Sequence, residues 1–256
     1  MKRLVLIFLF VIYLLPCFGA PPLSVLVYHH IQEKPTSDVS CTPEAFDSHI
    51  AALIKEGFTP LTVSQAITYI QKGEPKVKKP IVITFDDGYE SLYYYALPVV
   101  KKYKCPIVVF VVTSRIGHKP QFARYLNANQ IKEMSDSGYI EFGTHTHDLH
   151  TNSMNIYNAF DVPAEKNPVT ELLSKDLKKS YETLKTITGK APISLAWPYG
   201  KFTRDFIKVA KDAGFKIHFT SIAGRNPIGS DIFMLKRFPI TARDSVKGVL
   251  KKAMNN

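Results

Sequence analysis

Two kinds of apolar pattern alternate along the chain after residue 20. Short, nearly unbroken apolar runs are typical of buried strands, and they occupy Ser24–His30, Phe58–Leu61, Ile81–Phe85, Pro106–Val112, Tyr139–Gly143, Ile193–Trp197, Phe215–Ser221 and Ile232–Ile240. Segments with an apolar residue every three or four positions are typical of helices, and they occupy Thr42–Gly57, Val63–Lys72, Ser91–Lys102, Asn129–Ser137, Val169–Thr188, Thr203–Ala213 and Asp244–Met254. The stretch before Asn167 has no clear period.

This alternation of strand and helix predicts an α/β fold with a parallel sheet and helices outside it. An open, doubly wound sheet and a barrel are both compatible with the pattern. No glycine-rich phosphate loop follows the first strand, which counts against a dinucleotide-binding open sheet. We therefore favour an irregular barrel formed by one domain, residues 21–256.

The first twenty residues differ from the rest. The basic "MKR" is followed by the apolar "LVLIFLFVIYLL" and the small-residue "PCFGA", which is the order of a secretory signal peptide. We expect residues 1–20 to be a signal peptide and the protein to be exported, periplasmic or secreted. An uncleaved N-terminal membrane anchor is the alternative. Loss of Lys2 and Arg3 lowers the formal net charge of +11 by two, and no nucleic-acid-binding motif accompanies this basic charge.

Cys41 and Cys105 remain after the signal peptide. Cys41 precedes a helix that follows the first strand, whereas Cys105 directly precedes a strand. Those two positions are at opposite ends of a barrel. We expect two free thiols, although a pair of cysteines in an exported protein also invites a disulfide.

Polar residues collect where four of the predicted strands end. The first strand ends in His29 and His30, Asp86 and Asp87 follow "IVITF", and "WPYG" begins at the end of "ISLAW". "HTHDLH" follows "YIEFG". Chemistry in barrels of this kind lies where strands end and βα loops begin, so these groups are predicted to converge.

"HTHDLH" and the aspartate pair fit a metal site. Zn²⁺ binds imidazole nitrogen and carboxylate oxygen, and a catalytic zinc has three protein ligands and one open position. Spacing alone allows His145 with His150, His145 with His147, or His147 with His150. A solvated histidine-rich loop and an aspartate turn are the non-functional alternatives.

These residues resemble the polysaccharide deacetylases of the carbohydrate esterase 4 type. "TFDDG", "THTHDLH" and "WPYG" are similar to the family's first three motifs. The likeness runs from "LSVLVYHHI" to "LKRFPI" and is greatest to the deacetylases of poly-β-1,6-linked N-acetylglucosamine. That branch also has a "YH" strand end and metal-binding histidines five residues apart.

The resemblance implies a distorted (β/α)7-type barrel and a divalent metal, with Zn²⁺ expected first and Co²⁺ or Ni²⁺ as alternatives. It implies Asp87, His145 and His150 as ligands and Asp86 as general base. His147 then occupies a variable position. The backbone N–H of Tyr199 is similar to part of the oxyanion site, and the resemblance suggests sugar contacts at Trp197, Pro198 and Tyr199.

Two departures concern the proton donor. Other branches end with a Leu-x-x-His motif, whereas the matching "MLKRFPI" has no histidine, and the tryptophan motif that supports it is also missing. We expect His29 to replace that donor, and we expect His218, inside a strand, to be packed in the core. Leu195 and Ala196 stand where the family usually has a nearby arginine.

The expected function is hydrolytic removal of N-acetyl groups from an N-acetylglucosamine polysaccharide, with the poly-β-1,6-linked polymer first. Peptidoglycan N-deacetylation, O-acetyl ester hydrolysis and a catalytically silent glycan-binding domain are the alternatives. The partner is an acetylated amino-sugar polysaccharide, not nucleic acid. Membrane association is expected only if the N-terminal segment stays uncleaved, and we expect a monomer.

Overall fold

The computed structural model describes residues 20–121, 123–150 and 168–254. The predicted signal peptide, apart from residue 20, and the aperiodic stretch before Asn167, apart from its first residues, lie outside these ranges. Processing of the N-terminal segment therefore stays a prediction. Within the three described ranges we find no helix whose length and apolar character would let it cross a membrane.

Ten strands and seven α-helices make up the described part of the chain. The strands are β1 Ser24–Tyr28, β2 His30–Ile31, β3 Ser40–Cys41, β4 Thr59–Pro60, β5 Pro80–Phe85, β6 Ile107–Val111, β7 Ile140–Thr144, β8 Ser194–Ala196, β9 Ile217–Phe219 and β10 Phe238–Pro239. The α-helices are α1 Pro43–Lys55, α2 Val63–Lys72, α3 Leu97–Tyr103, α4 Ala128–Asp136, α5 Pro168–Thr188, α6 Arg204–Asp212 and α7 Val246–Met254. A π-helical turn, Leu92–Ala96, precedes α3, and a 3-10 turn, Thr113–Arg115, follows β6.

The main sheet is a parallel barrel with an irregular closure. Its strands follow the order β10-β1-β5-β6-β7-β8-β9, and β4 pairs with the beginning of β5. The predicted last strand, Ile232–Ile240, is regular only at Phe238–Pro239, where it pairs with β1. Its first half instead bonds to β9, since the N–H of Thr220 donates to the Leu235 carbonyl at 2.9 Å. One segment thus joins the two ends of the sheet, and the predicted irregular barrel is confirmed.

Side chains alternate between the inside and the outside of the barrel, as successive residues of a strand must. Val82 and Val108 belong to an interior cluster that also includes Val63 of α2, whereas Ile83 and Val109 belong to the cluster under the surrounding helices. The backbone N–H of Val63 donates to the Glu141 carboxylate at 3.0 Å. Helix α2 therefore covers the N-terminal end of the barrel and leaves the C-terminal end for the polar residues.

The helix ends follow the local signals of the sequence. Thr42 caps α1 and Thr62 caps α2, and each side chain accepts a backbone N–H three residues on. The predicted bounds of α2 are matched at both ends. Cys41 and Cys105 are buried free thiols, as expected.

Candidate active site

The four predicted polar groups lie at the C-terminal ends of the barrel strands. Asp86 and Asp87 follow β5, His145 follows β7, and the "WPYG" turn follows β8. His29 lies between β1 and β2. Parallel pairing through β1, β5, β6, β7 and β8 brings these ends to one rim.

Asp87, His145 and His150 form one cluster at this rim. A ligand atom from each lies within 4.8 Å of the others, and the Nε2 of His150 is 3.3 Å from the Oδ1 of Asp87. The cluster does not include His147, whose Nδ1 lies 2.9 Å from the Thr113 hydroxyl. Of the three histidine pairs that spacing allowed, the fold brings together the first.

The chemistry of this cluster fits a divalent cation. The buried Oδ1 of Asp87 has no hydrogen-bond partner within the described part of the chain. The Nδ1 of His145 lies 2.7 Å from the Ala196 carbonyl; this oxygen can only accept, so Nδ1 carries the proton and Nε2 keeps its lone pair. Burial, followed by the neighbouring His145, lowers the pKa of His150. A neutral imidazole is the form that binds a metal.

Asp86 faces the barrel interior and is held by Arg237. Two guanidinium nitrogens of Arg237 donate to the two carboxylate oxygens at 2.7 and 2.8 Å, and both residues are buried. Burial by itself raises the pKa of Asp86, but Arg237 and then His145 outweigh it, so the pKa lies well below its ordinary value. Asp86 is therefore an anion whose orientation is fixed at two points.

Unusual backbone conformations are concentrated at the same rim. Among the described non-glycine residues, four have positive φ, and three of them are Asp87, Thr146 and Tyr199. Such conformations cost free energy and persist where the surroundings impose them. Gly88, with φ 79°, packs so tightly that a Cβ would lie 3.1 Å from the Val111 side chain. The turn after β5 thus needs glycine there.

The loop that carries the histidines is anchored by a buried carboxylate of α5. The oxygens of Asp176 accept the backbone N–H groups of His147 and Asp148, each at 2.7 Å. Asp176 is 7% exposed, and its burial raises the pKa of the carboxyl. Helix α5 therefore holds the loop between the two histidines of the cluster.

The remaining predicted residues have different surroundings. His29 is near enough to Asp86 to influence its carboxylate, and the buried Nδ1 of His29 has no partner in the described ranges. The ring of Tyr199 is 45% exposed and centred 4.8 Å from that of His150. His218 is fully buried, as expected, between the rings of Trp197 and Phe233.

The predicted sugar contact of Trp197 is wrong. Its side chain is 2% exposed and packs outside the barrel with Phe206 and Phe215. Successive side chains along β8 alternate, with Ala196 in the interior cluster and Leu195 in the outer one. Trp197, directly after β8, continues this alternation and points outward like Leu195. Pro198 is also buried, which leaves Tyr199 as the exposed side chain of these three.

Sequence reasoning missed three residues that support the site. Arg237 and the neighbouring Lys236 are the two charged residues of the otherwise apolar "MLKRFPI", a signal that was available. Asp176 lies on the apolar stripe of α5 with Leu173 and Leu177, which is also unusual for a carboxylate. Arg115, which donates to the His150 carbonyl at 3.0 Å, is the last residue of the 3-10 turn after β6, and its sequence surroundings carry no such signal.

Comparisons with known proteins agree with this arrangement. The sequence model of the family "Polysaccharide deacetylase" matches residues 73–218. The poly-beta-1,6-N-acetyl-D-glucosamine N-deacetylase of Staphylococcus aureus (strain MSSA476) is 32% identical over 199 residues, which are 77% of this chain and 67% of that protein.

Two solved structures extend the likeness to the fold. IcaB from Ammonifex degensii has 30% identity and a TM-score of 0.79 over 92% of this chain and 98% of that chain. The deacetylase domain of BpsB from Bordetella bronchiseptica has 25% identity and a TM-score of 0.69 over 85% of this chain and 96% of that chain. From its sequence, its barrel and its relatives, this chain belongs to the polysaccharide deacetylase family.

Proposed function

We propose that this protein is an exported, metal-dependent hydrolase that removes N-acetyl groups from poly-β-1,6-N-acetylglucosamine. The observation that carries the proposal is the cluster of Asp87, His145 and His150 beside a separately held Asp86. It lies in a chain that is 32% identical to an enzyme named for this reaction. Export rests on the predicted signal peptide.

The cluster is proposed to hold the metal, with Zn²⁺ first because two imidazoles and one carboxylate are a common catalytic zinc set. When bound, the cation would supply Lewis acidity for the acetyl carbonyl and lower the pKa of the attacking water. The Ala196 carbonyl and the Asp176 carboxylate keep His145 and the histidine loop in place for this binding.

Asp86 is proposed as the general base. It is ionised throughout the physiological range, since the pKa is lowered by Arg237, and Arg237 fixes the direction of its lone pairs. The backbone N–H of Tyr199 is proposed to donate to the oxyanion that forms when water attacks the acetyl carbon. His29 is proposed to give a proton to the leaving amine.

The first experiment is acetate release from a β-1,6-linked N-acetylglucosamine pentamer, with and without a chelator. We expect chelator-sensitive release that returns when Zn²⁺ is added. Absence of release by protein that contains metal would contradict the proposed substrate and favour peptidoglycan or O-acetylated glycans.

Two aspartate variants separate the proposed roles. Asp86→Asn should abolish acetate release and retain metal, whereas Asp87→Asn should lose metal as well. His147→Gln is the matched control, because His147 lies in the same loop outside the cluster and should leave metal content unchanged. Near-normal release by Asp86→Asn would show that another group takes the proton.

A further inference from the structure

A pocket of about 370 Å³ lies on the same rim, beside the cluster of Asp87, His145 and His150. Its walls come from β2, the segment after "TFDDG" and the π-helical turn, and the residues used below are His30, Glu33, Glu90, Tyr94, Tyr95 and Arg124. The volume is at the low end of small-molecule sites and admits a single sugar residue. None of the roles described above uses this pocket.

Tyr89 connects the pocket to the cluster. It lies two residues after Asp87, in the segment that follows β5. Its ring stacks on His30, with centroids 4.3 Å apart and planes 10° apart, and on its other side stacks on Tyr125 at 5.3 Å. Because His30 lines the pocket, one aromatic ring separates the pocket from a proposed metal ligand.

The lining has the chemistry of a carbohydrate site. Tyr94 is 56% exposed, the largest exposed fraction among the large hydrophobic side chains in the described ranges. Its ring meets that of Tyr93 nearly at a right angle, with the two centroids 5.3 Å apart. An exposed aromatic ring of this size is unusual for folding alone, and it offers an apolar face for the C–H side of a sugar.

Two carboxylates face the same space. The Oε1 of Glu33 accepts from the Tyr95 hydroxyl at 3.2 Å. The Oε1 of Glu90 accepts from Gln130 at 3.2 Å, and its Oε2 is 4.0 Å from Arg124. These contacts orient the carboxylates and leave acceptor positions for sugar hydroxyls, since each carboxylate can accept several hydrogen bonds.

We propose that this pocket is a subsite for a sugar residue next to the one that is deacetylated. This inference rests on the proposed function. The polymer would pass from the cluster over the edges of the Tyr89 and His30 rings. The sugar residue next to the deacetylated one would then lie against Tyr94, and the hydroxyl groups of that sugar would donate to Glu33 and Glu90. The site would thereby favour internal residues of a chain over single sugars.

The test compares a long and a short substrate. Tyr94→Ala should raise KM for the pentamer about 5-fold, the size expected for loss of one ring contact, with kcat for the pentamer retained. KM for a small aryl acetate, which cannot reach the pocket, should change by less than about 2-fold on the same scale. Ile228→Ala is the matched control, because Ile228 is an exposed apolar residue near Gly73 at the opposite end of the barrel.

The outcomes separate this inference from the proposed function. Wild-type protein that releases no acetate from the pentamer would overturn the proposed function and the subsite with it. An active wild type with an unchanged pentamer KM in Tyr94→Ala would overturn the subsite alone. If Tyr94→Ala fails to fold, Glu33→Gln replaces an exposed carboxylate of the same pocket, and it should also raise KM for the pentamer selectively.

Discussion

Asp86 and Asp87 are adjacent in the sequence and have opposite surroundings. The left-handed backbone at Asp87, with φ 70°, turns the two side chains in different directions. Asp86 points inward to Arg237, whereas the Oδ1 of Asp87 faces the two histidines without a hydrogen-bond partner in the described ranges. One carboxylate is therefore kept as an oriented anion and the other as an open ligand.

The proposed role of His29 as proton donor can be tested by comparing substrates whose leaving groups do and do not need a proton. His29→Gln should lower kcat for acetate release from the pentamer by about 100-fold, the usual contribution of a general acid. Hydrolysis of an aryl acetate should fall much less, since a phenolate leaves without a proton. His118→Gln, at an exposed histidine, is the control. Equal losses on both substrates would instead mean that His29 acts in binding or positioning.

His218 gives a prediction about stability and pH. Burial, then the charge of Lys211, lowers the pKa of His218 to about 3. The unfolded chain, with an ordinary histidine pKa near 6.5, binds this proton first, so stability present above pH 6.5 is lost as the pH falls towards 3. At pH 5 the loss should be about 2 kcal/mol.

The measurement is urea unfolding of metal-free protein at pH 7.5 and pH 5. His218→Phe should lose about 2 kcal/mol less than the wild type between the two pH values. Comparing the variant with the wild type removes the contributions of the other histidines. The same pH dependence in both proteins would mean that His218 is protonated in the folded state.

At the scale of elements, Asp176 of helix α5 holds the loop between His145 and His150 through two hydrogen bonds. Asp176→Asn replaces two acceptor oxygens by one, so either His147 or Asp148 loses its backbone partner. We expect metal affinity to fall about 10-fold, as for other outer contacts of metal ligands. Chelator competition measures it, with Glu171→Gln, an exposed residue of the same helix, as control. Unchanged affinity would show that the loop holds its shape without α5.

Sequence patterns predicted most helices and strands well, because the residues that begin and end these elements lie within the elements or next to them. Thr62, the capping box and Gly73 define α2 entirely within the segment. The segment Ile232–Ile240 was predicted as one regular strand because it is almost continuously apolar, but its two halves bond to different strands. That division depends on barrel closure, which no local pattern contains.

The site, like the secondary structure, was predictable where the signals are local and not where they depend on the closed barrel. Asp86, Asp87 and His145 could be placed at one rim, since they come directly after strands, and His150 lies in the loop that begins at His145. The burial of Trp197 was missed, because the direction of a side chain after β8 depends on which face of that strand turns inward. The pairing of Arg237 with Asp86 joins residues 151 positions apart, and sequence spacing does not indicate it.

At the scale of the whole molecule, Arg237 connects the barrel across its interior. Besides Asp86, its guanidinium donates to the Thr84 hydroxyl at 3.2 Å and to the Thr220 carbonyl at 2.8 Å. Its charge also lies 5.8 Å from the centre of the Phe110 ring. Residues at or beside β5, β6 and β9 therefore meet one buried cation, at the place where the irregular segment closes the sheet.

This arrangement predicts that stability and activity respond differently to paired substitutions. Arg237→Met leaves the Asp86 charge buried without its partner, and the free energy of unfolding should fall by about 3–5 kcal/mol. Adding Asp86→Asn removes that charge, so the double variant should regain most of the lost stability in urea unfolding. It should nevertheless release no acetate, because the proposed base is absent. A double variant as unstable as Arg237→Met would mean that the bonds of Arg237 to Thr84 and Thr220, rather than its ion pair, stabilise the barrel.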